Sequence, residues 1–154
     1  MNTHVKKVGL AIAALGLAGA GYVSVAYFLA PPVTEKHYAT YAAAVTGNAV
    51  ADHWLPDFVP KSATNLHVRY GLDPSFLELE FSYDVGDGTH LTAGFEQLDE
   101  ARLGSLREVL NGRRWQQPIP QDALLYTPTF GDASADTPLL ALDMKAGQAW
   151  YLVN

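Results

Sequence analysis

Four histidines beyond residue 30 are the side chains of this sequence best suited to binding a metal ion. They are His37, His53, His67 and His90. No two of them have the H-E-x-x-H or H-x-H spacing that places paired imidazoles on one face of an element. The sequence therefore predicts no metal site and no cofactor, and a zinc site assembled from distant strands is the alternative.

Glu78 and Glu80 have a spacing that would suit a general acid and base on one face of a strand. Carboxylates two residues apart on a strand are separated by about 7 Å. Alternation with Leu77 and Leu79 predicts that both glutamates face water. The serines lack the G-x-S-x-G context of a hydrolase nucleophile, and we predict that the protein is not an enzyme.

Asp84 and Asp87 lie among glycines, a combination that hard cations favour. A calcium loop requires more converging oxygens and usually a bidentate glutamate at a fixed distance. We therefore interpret residues 84–88 as a hairpin turn.

Residues 54–65 are the best candidate for a binding surface. Two prolines restrict this backbone, so its aromatic rings and polar groups are presented at little entropic cost. The candidate binding residues are Trp54, Phe58, Ser62, Thr64 and Asn65. The alternative is that the two aromatic rings fill the edge of the core.

Arg113, Arg114 and Trp115 form a basic cluster directly after a predicted helix. They are candidates for binding an anionic group, and the alternative is that the arginines stabilise the last helix carbonyls.

The predicted fold is α+β: a single N-terminal transmembrane helix, then a small domain with a mainly antiparallel sheet and two helices. Thr34 is the predicted cap of the first helix, which begins at Glu35 and ends by Trp54. The second helix is predicted over residues 98–110. The predicted strands are 65–70, 76–83, 89–95, 123–130, 139–143 and 148–153.

Residues 8–30 form an uncharged, mostly apolar run that is long enough to cross a hydrocarbon core of about 30 Å. Lys6 and Lys7 precede this run, so the positive-inside rule predicts a cytoplasmic segment 1–7 and an exported domain 31–154. The predicted location is a bacterial inner membrane, with the domain periplasmic or extracellular. Gly16, Ala20 and Ser24 form a stripe of small residues for packing against a membrane-protein partner or a second copy. The alternative to an uncleaved transmembrane helix is a secretory signal cleaved after Ala20.

The exported part is acidic. Two of the 10 Lys and Arg residues precede residue 31, which leaves 10 − 2 = 8 against 16 Asp and Glu. This excess of negative charge argues against nucleic acid as a partner.

The absence of cysteine excludes disulfides and a lipid-modified cysteine.

The segment WLPDFVPKSATN at residues 54–65, the acidic strand after it and the closing AWYL at 149–152 resemble small bacterial membrane-anchored proteins with no assigned role. The resemblance covers about half of the exported domain and implies no activity.

The favoured hypothesis is a non-catalytic, single-pass accessory or interaction subunit of a cell-envelope membrane complex. The alternative is an exported module that binds or senses a small ligand, in a pocket between the sheet and residues 54–60.

Overall fold

Seven antiparallel strands form one sheet in the part of the chain that the structure describes. A computed structural model describes residues 33–72, 75–129 and 137–154, all within the unit Val33–Asn154. The strand order is β1-β2-β3-β7-β6-β5-β4, so two antiparallel groups meet where β3 pairs with β7. The strands are β1 Val33–Thr40, β2 Thr64–Leu72, β3 Ser75–Ser82, β4 Phe95–Gln97, β5 Leu124–Pro128, β6 Leu139–Asp143 and β7 Gln148–Val153.

Three α-helices and one 3₁₀ turn connect the described strands. They are α1 Tyr41–Thr46, the 3₁₀ turn Val85–Asp87, α2 Gly88–Leu91 and α3 Glu100–Asn111. The Asp99 carboxylate caps α3 by accepting a hydrogen bond from the Arg102 amide at 3.1 Å, and Gly112 follows its last residue.

Apolar side chains pack on both faces of the sheet, in two separate clusters. On one face, Leu79, Phe81 and Tyr151 lie in a core that includes α1 and residues 49–63. On the other face, Trp150 and Leu152 pack with α3 and its flanking segments. The second cluster covers only the β5, β6 and β7 part of its face, which leaves the β1, β2 and β3 part to polar side chains.

The predicted fold class is wrong. None of the helices in the described residues has both the length and the apolar character that a membrane crossing requires. The second predicted helix corresponds to α3, whereas α2 and the 3₁₀ turn were not predicted. The predicted span 8–30, with Gly16, Ala20 and Ser24, lies outside the described residues.

The first predicted helix begins as a strand. Residues 33–40 form β1, paired with β2 from Val33 opposite Gly71 to Thr40 opposite Thr64. Only Tyr41–Thr46 is helical, and Thr40, not Thr34, caps it by accepting from the Ala43 amide at 3.2 Å. Pairing with β2 satisfies the backbone of this segment, and this tertiary contact overrides a helical spacing of aromatic residues.

The strand predicted at 89–95 is also wrong, together with the hairpin that would have led into it. The Asp84 carboxylate accepts from the Gly86 amide at 2.9 Å and caps the 3₁₀ turn, which continues into α2. β3 pairs with β2 along one edge and with β7 along the other, so no neighbouring position remains for a hairpin partner. The strand after α2 is the short β4, at the opposite edge of the sheet.

Candidate functional site

Two rows of polar side chains cross one face of β1, β2 and β3. In the first row His37 lies opposite His67, and His67 lies opposite Glu80. In the second row Glu35 lies opposite Arg69, and Arg69 lies opposite Glu78. Because side chains alternate along a strand, residues in register on adjacent strands share a face. These pairings collect titratable groups on the half of the face that α3 does not cover.

His67 is the centre of this polar face. Its side chain is 6% exposed, and its Nε2 lies 2.7 Å from Oε1 of Glu35. The His37 ring stacks on it with centroids 4.1 Å apart and an interplanar angle of 17°. The hydrogen bond with His67 holds the pKa of the Glu35 carboxyl below its ordinary value. Glu35 therefore orients a buried imidazole whose ring is covered by a second imidazole.

Glu80 is buried and receives its hydrogen bonds from the backbone of another segment. Its Oε2 accepts from the Gln116 amide at 2.7 Å, and its Oε1 accepts from the Gln117 amide at 3.1 Å. Gln148 Nε2 lies 3.4 Å from Oε1, and its own Oε1 accepts from the Ser82 hydroxyl at 2.9 Å. Burial raises the pKa of the Glu80 carboxyl, and the two backbone donors act against that shift.

Glu78 is buried in an ion pair. Arg69 Nη1 donates to its Oε2, whereas Arg113 Nη1 lies 3.8 Å from its Oε1. Oε1 has no hydrogen-bond donor among the described residues. The prediction that Glu78 and Glu80 face water is therefore wrong, because residues 113–117 after α3 cover this side of β3. Their environments give the two glutamates separate partners instead of one shared catalytic site.

A polar cavity of about 400 Å³ opens between β1, β2 and the segment after α3. The residues that line it are His37, Tyr38, Ala39, Asn65, His67, Glu80, Gln116, Gln117 and Gln148. This lining contains imidazole, carboxylate and amide groups but no lysine or arginine. The cavity is therefore suited to a polar molecule that is neutral or positively charged.

Trp54 and Phe58 lie on the opposite face of the sheet and pack against its core. Trp54 stacks on Tyr70 with centroids 4.4 Å apart, and Lys36 Nζ lies 3.9 Å from the Trp54 ring centroid. Phe58 makes edge contacts with Phe95 and Tyr151. Both aromatic residues are half-buried, so Trp54 borders a groove whereas Phe58 closes the edge of the core.

Ser62, Thr64 and Asn65 are exposed but serve different purposes. The Ser62 hydroxyl donates to the Asp87 carboxylate, which ties the segment before β2 to the 3₁₀ turn. Thr64 begins β2. Asn65 has a positive φ of 50° at the register shift between Thr64 and His67, and it lines the polar cavity. Of these three predicted binding residues, only Asn65 lies in the cavity lining.

The basic cluster after α3 is separated by its contacts. Arg113 bonds to the Asn154 side chain and lies near Glu78, whereas Arg114 is exposed. Trp115 Nε1 donates to the Leu110 carbonyl at 2.7 Å. The indole, not an arginine, thus satisfies a carbonyl in the last turn of α3.

Sequence reasoning missed Glu35, His37 and Glu80 as members of one site. The available signal was the E-x-H spacing at 35–37, which places a carboxylate and an imidazole on the same face of a strand. Interpreting this segment as a helix removed that signal. The backbone donors of Gln116 and Gln117 had no signal in the sequence, because side-chain identity does not report where a backbone amide points.

The first three strands form the part of the fold that has a recognised counterpart. Residues 33–82 are similar to the YbbD head domain family. This match covers β1, α1, β2 and β3, including Glu35, His37, His67 and Glu80. No curated protein and no solved structure matches the chain.

Proposed function

We propose that the domain is a non-catalytic module that binds a small polar molecule in the cavity beside β1 and β2. The observation that carries this proposal is Glu80, a buried carboxylate held by two backbone amides at the wall of a 400 Å³ cavity. Cavities of about 300–1,000 Å³ are typical of small-molecule sites. Burying a charged group is costly, and a site that positions it beforehand reduces the ordering that binding requires.

The lining favours hydroxyl and amine groups on the ligand. Glu80 and the side-chain oxygens of Asn65, Gln116 and Gln117 accept hydrogen bonds, whereas the amide nitrogens donate them. No cationic lysine or arginine lines the cavity to offset a phosphate or carboxylate. We therefore expect a polyol, a sugar or an amine, and exclusion of small anions.

A nuclear magnetic resonance titration of the isotope-labelled 154-residue chain tests this proposal. The probes are a neutral hexose, a primary diamine and inorganic phosphate, each added with a metal chelator present. We expect saturable shifts at the amides of His67, Gln116 and Gln117 with the hexose or the diamine, and none with phosphate. Shifts that are absent with both, or spread over the whole surface, contradict the proposal.

Two variants and a matched control test the residues. Gln117→Ala changes an exposed side chain, and Glu80→Gln removes the buried charge while keeping its size. We expect Glu80→Gln to weaken binding at least about tenfold, since a hydrogen bond to a charged group contributes about 1.5–3 kcal/mol. We expect Gln117→Ala to weaken it about 2- to 10-fold, since it removes a neutral side chain and a neutral hydrogen bond contributes about 0.5–1.5 kcal/mol. Glu96→Gln lies on β4, where the side chain is 55% exposed, and should bind as the wild type does. Equal affinity in all four proteins would contradict a role for the cavity.

A partner-binding groove on the other face is the second candidate. Leu72 is 78% exposed and borders a groove of about 300 Å³ with Trp54 and Tyr70. We propose that this groove receives an apolar segment of another protein, as an interaction subunit would require.

Affinity purification of the tagged chain from its native host, with quantitative mass spectrometry, tests the groove. A stoichiometric partner should be recovered with the wild type and with Val109→Asp, an exposed position on α3, but lost with Leu72→Asp. Equal recovery with both variants would contradict binding at the groove.

A further inference from the structure

Three potential metal ligands converge at the wall of the polar cavity. Glu35 Oε1 lies 2.7 Å from His67 Nε2 and 3.8 Å from His37 Nε2. The ligand atoms of the three residues all lie within 4.8 Å of one another. Two of them come from β1 at positions 35 and 37, and the third comes from the paired strand β2, so backbone pairing holds the set together.

These distances are close to those of a zinc centre. A tetrahedral ion with bonds of about 2.0–2.1 Å places its ligand atoms about 3.3 Å apart. The two measured separations lie on either side of that value. His67 is buried, whereas the side chains of Glu35 and His37 are 50% and 61% exposed. The buried imidazole would therefore serve as a fixed ligand, and the exposed side chains of Glu35 and His37 would reorient around the ion.

The donor set has a definite chemical preference. Two imidazoles and one carboxylate suit zinc and the later divalent transition metals, whereas calcium and magnesium prefer oxygen donors alone. Three protein ligands leave a fourth position. His37 and His67 both line the cavity, so an ion bound to them would lie beside the space where a small molecule would bind. Glu80, opposite His67 on β3, adds a second negative charge beside the site.

We propose that Glu35, His37 and His67 bind a divalent transition metal, with zinc as the ion used to test it. This inference goes beyond the small-molecule proposal, because the three side chains would bind the metal without any small molecule present. Without a metal, the same side chains satisfy one another through the hydrogen bond and the stacked rings. Binding would replace both contacts with bonds to the ion.

Isothermal titration calorimetry of the 154-residue chain with zinc chloride tests the inference. We expect one site per chain, with affinity at least about 100-fold weaker in His37→Ala and in Glu35→Gln. This expectation follows because losing even an outer partner of a metal ligand costs about 10–100-fold in affinity. Both substituted side chains are at least half exposed, so these variants test binding with little effect on the core.

His90→Ala and Glu96→Gln are the matched controls, since both residues are exposed and lie outside the cluster. They should bind zinc as the wild type does, and calcium should not compete. Zinc should also shift the ring resonances of His37 and His67 and leave those of His53 and His90 unchanged. Unchanged affinity in His37→Ala, or equal losses in His37→Ala and His90→Ala, would overturn the inference.

The zinc experiment contains no small molecule, and the titration of hexose and diamine contains a chelator. Loss of the zinc result alone would remove the metal site and leave the cavity proposal in place. Loss of the small-molecule result alone would leave the metal site in place.

Discussion

The buried ion pair of Arg69 and Glu78 gives the sharpest test of how the polar face is held together. The Glu78 side chain is 3% exposed and the Arg69 side chain is 19% exposed. Arg69 is the hydrogen-bond donor to Glu78, and Arg113 lies too far away, at 3.8 Å, to replace it. Arg69→Met keeps an unbranched apolar side chain near Phe76 but leaves a buried carboxylate without a donor.

Removing one partner of a buried pair costs about 3–5 kcal/mol. Arg69 retains some exposure and Arg113 retains some attraction, so we expect a loss near the lower end, about 3 kcal/mol. For a domain of this size that corresponds to a fall of about 10 °C in the melting temperature. The loss is large beside a total stability of about 5–15 kcal/mol.

The double variant Arg69→Met, Glu78→Leu removes both charges and should recover most of the loss, to within about 1 kcal/mol of the wild type. Arg102→Met is the matched control. Arg102 lies 3.9 Å from Glu96, both side chains are well exposed, and such surface pairs contribute about 0–1 kcal/mol.

Urea denaturation followed by circular dichroism measures all four proteins. If the free energy of unfolding falls no more in Arg69→Met than in Arg102→Met, burial of Glu78 does not depend on its pairing with Arg69. If the double variant is no more stable than Arg69→Met, the cost does not come from an unpaired charge. Either result would refute the reasoning.

Two further predictions concern stability and pH. Gly147→Ala should cost about 2–3 kcal/mol in urea denaturation, because φ is +64° and an added Cβ would meet the Tyr83 carbonyl oxygen. Its control, Gly104→Ala, has open space on α3 and should gain about 0.5–1 kcal/mol; a Gly147→Ala protein as stable as the wild type would contradict the clash. Burial, with smaller effects of Asp143 and Tyr126, raises the pKa of Tyr83 to about 12. The folded state keeps this proton while the unfolded state loses it above its pKa of 10, so the contribution of Tyr83 to stability should be constant below pH 10 and be lost from pH 10 to about pH 12. Tyr83→Phe should reduce that fall, and an unchanged alkaline profile would argue against it.

The strands with strong apolar patterns were predictable. Ser75–Ser82, Leu139–Asp143 and Gln148–Val153 lie within a residue of their predicted positions, as does the C-terminal end of α3 at Asn111. Their patterns reflect packing on a sheet or on a helix face, which is a property of neighbouring residues in the sequence. Which face of each strand is exposed to solvent was not predictable from these patterns. Glu78 and Glu80 alternate as solvent-facing residues would, yet residues from beyond α3 bury them.

The sequence by itself determined the acidic charge, the absence of disulfides and the strands whose apolar residues alternate. Tertiary structure alone decided the candidate site. Val33–Thr40 is a strand because β2 is there to pair with it, and this pairing brings Glu35 and His37 beside His67. Glu80 has its partners because the chain returns to it 36 residues later with two backbone amides. Contacts between residues far apart in the chain complete the site, and the local spacing at 35–37 indicates only the two side chains that β1 supplies.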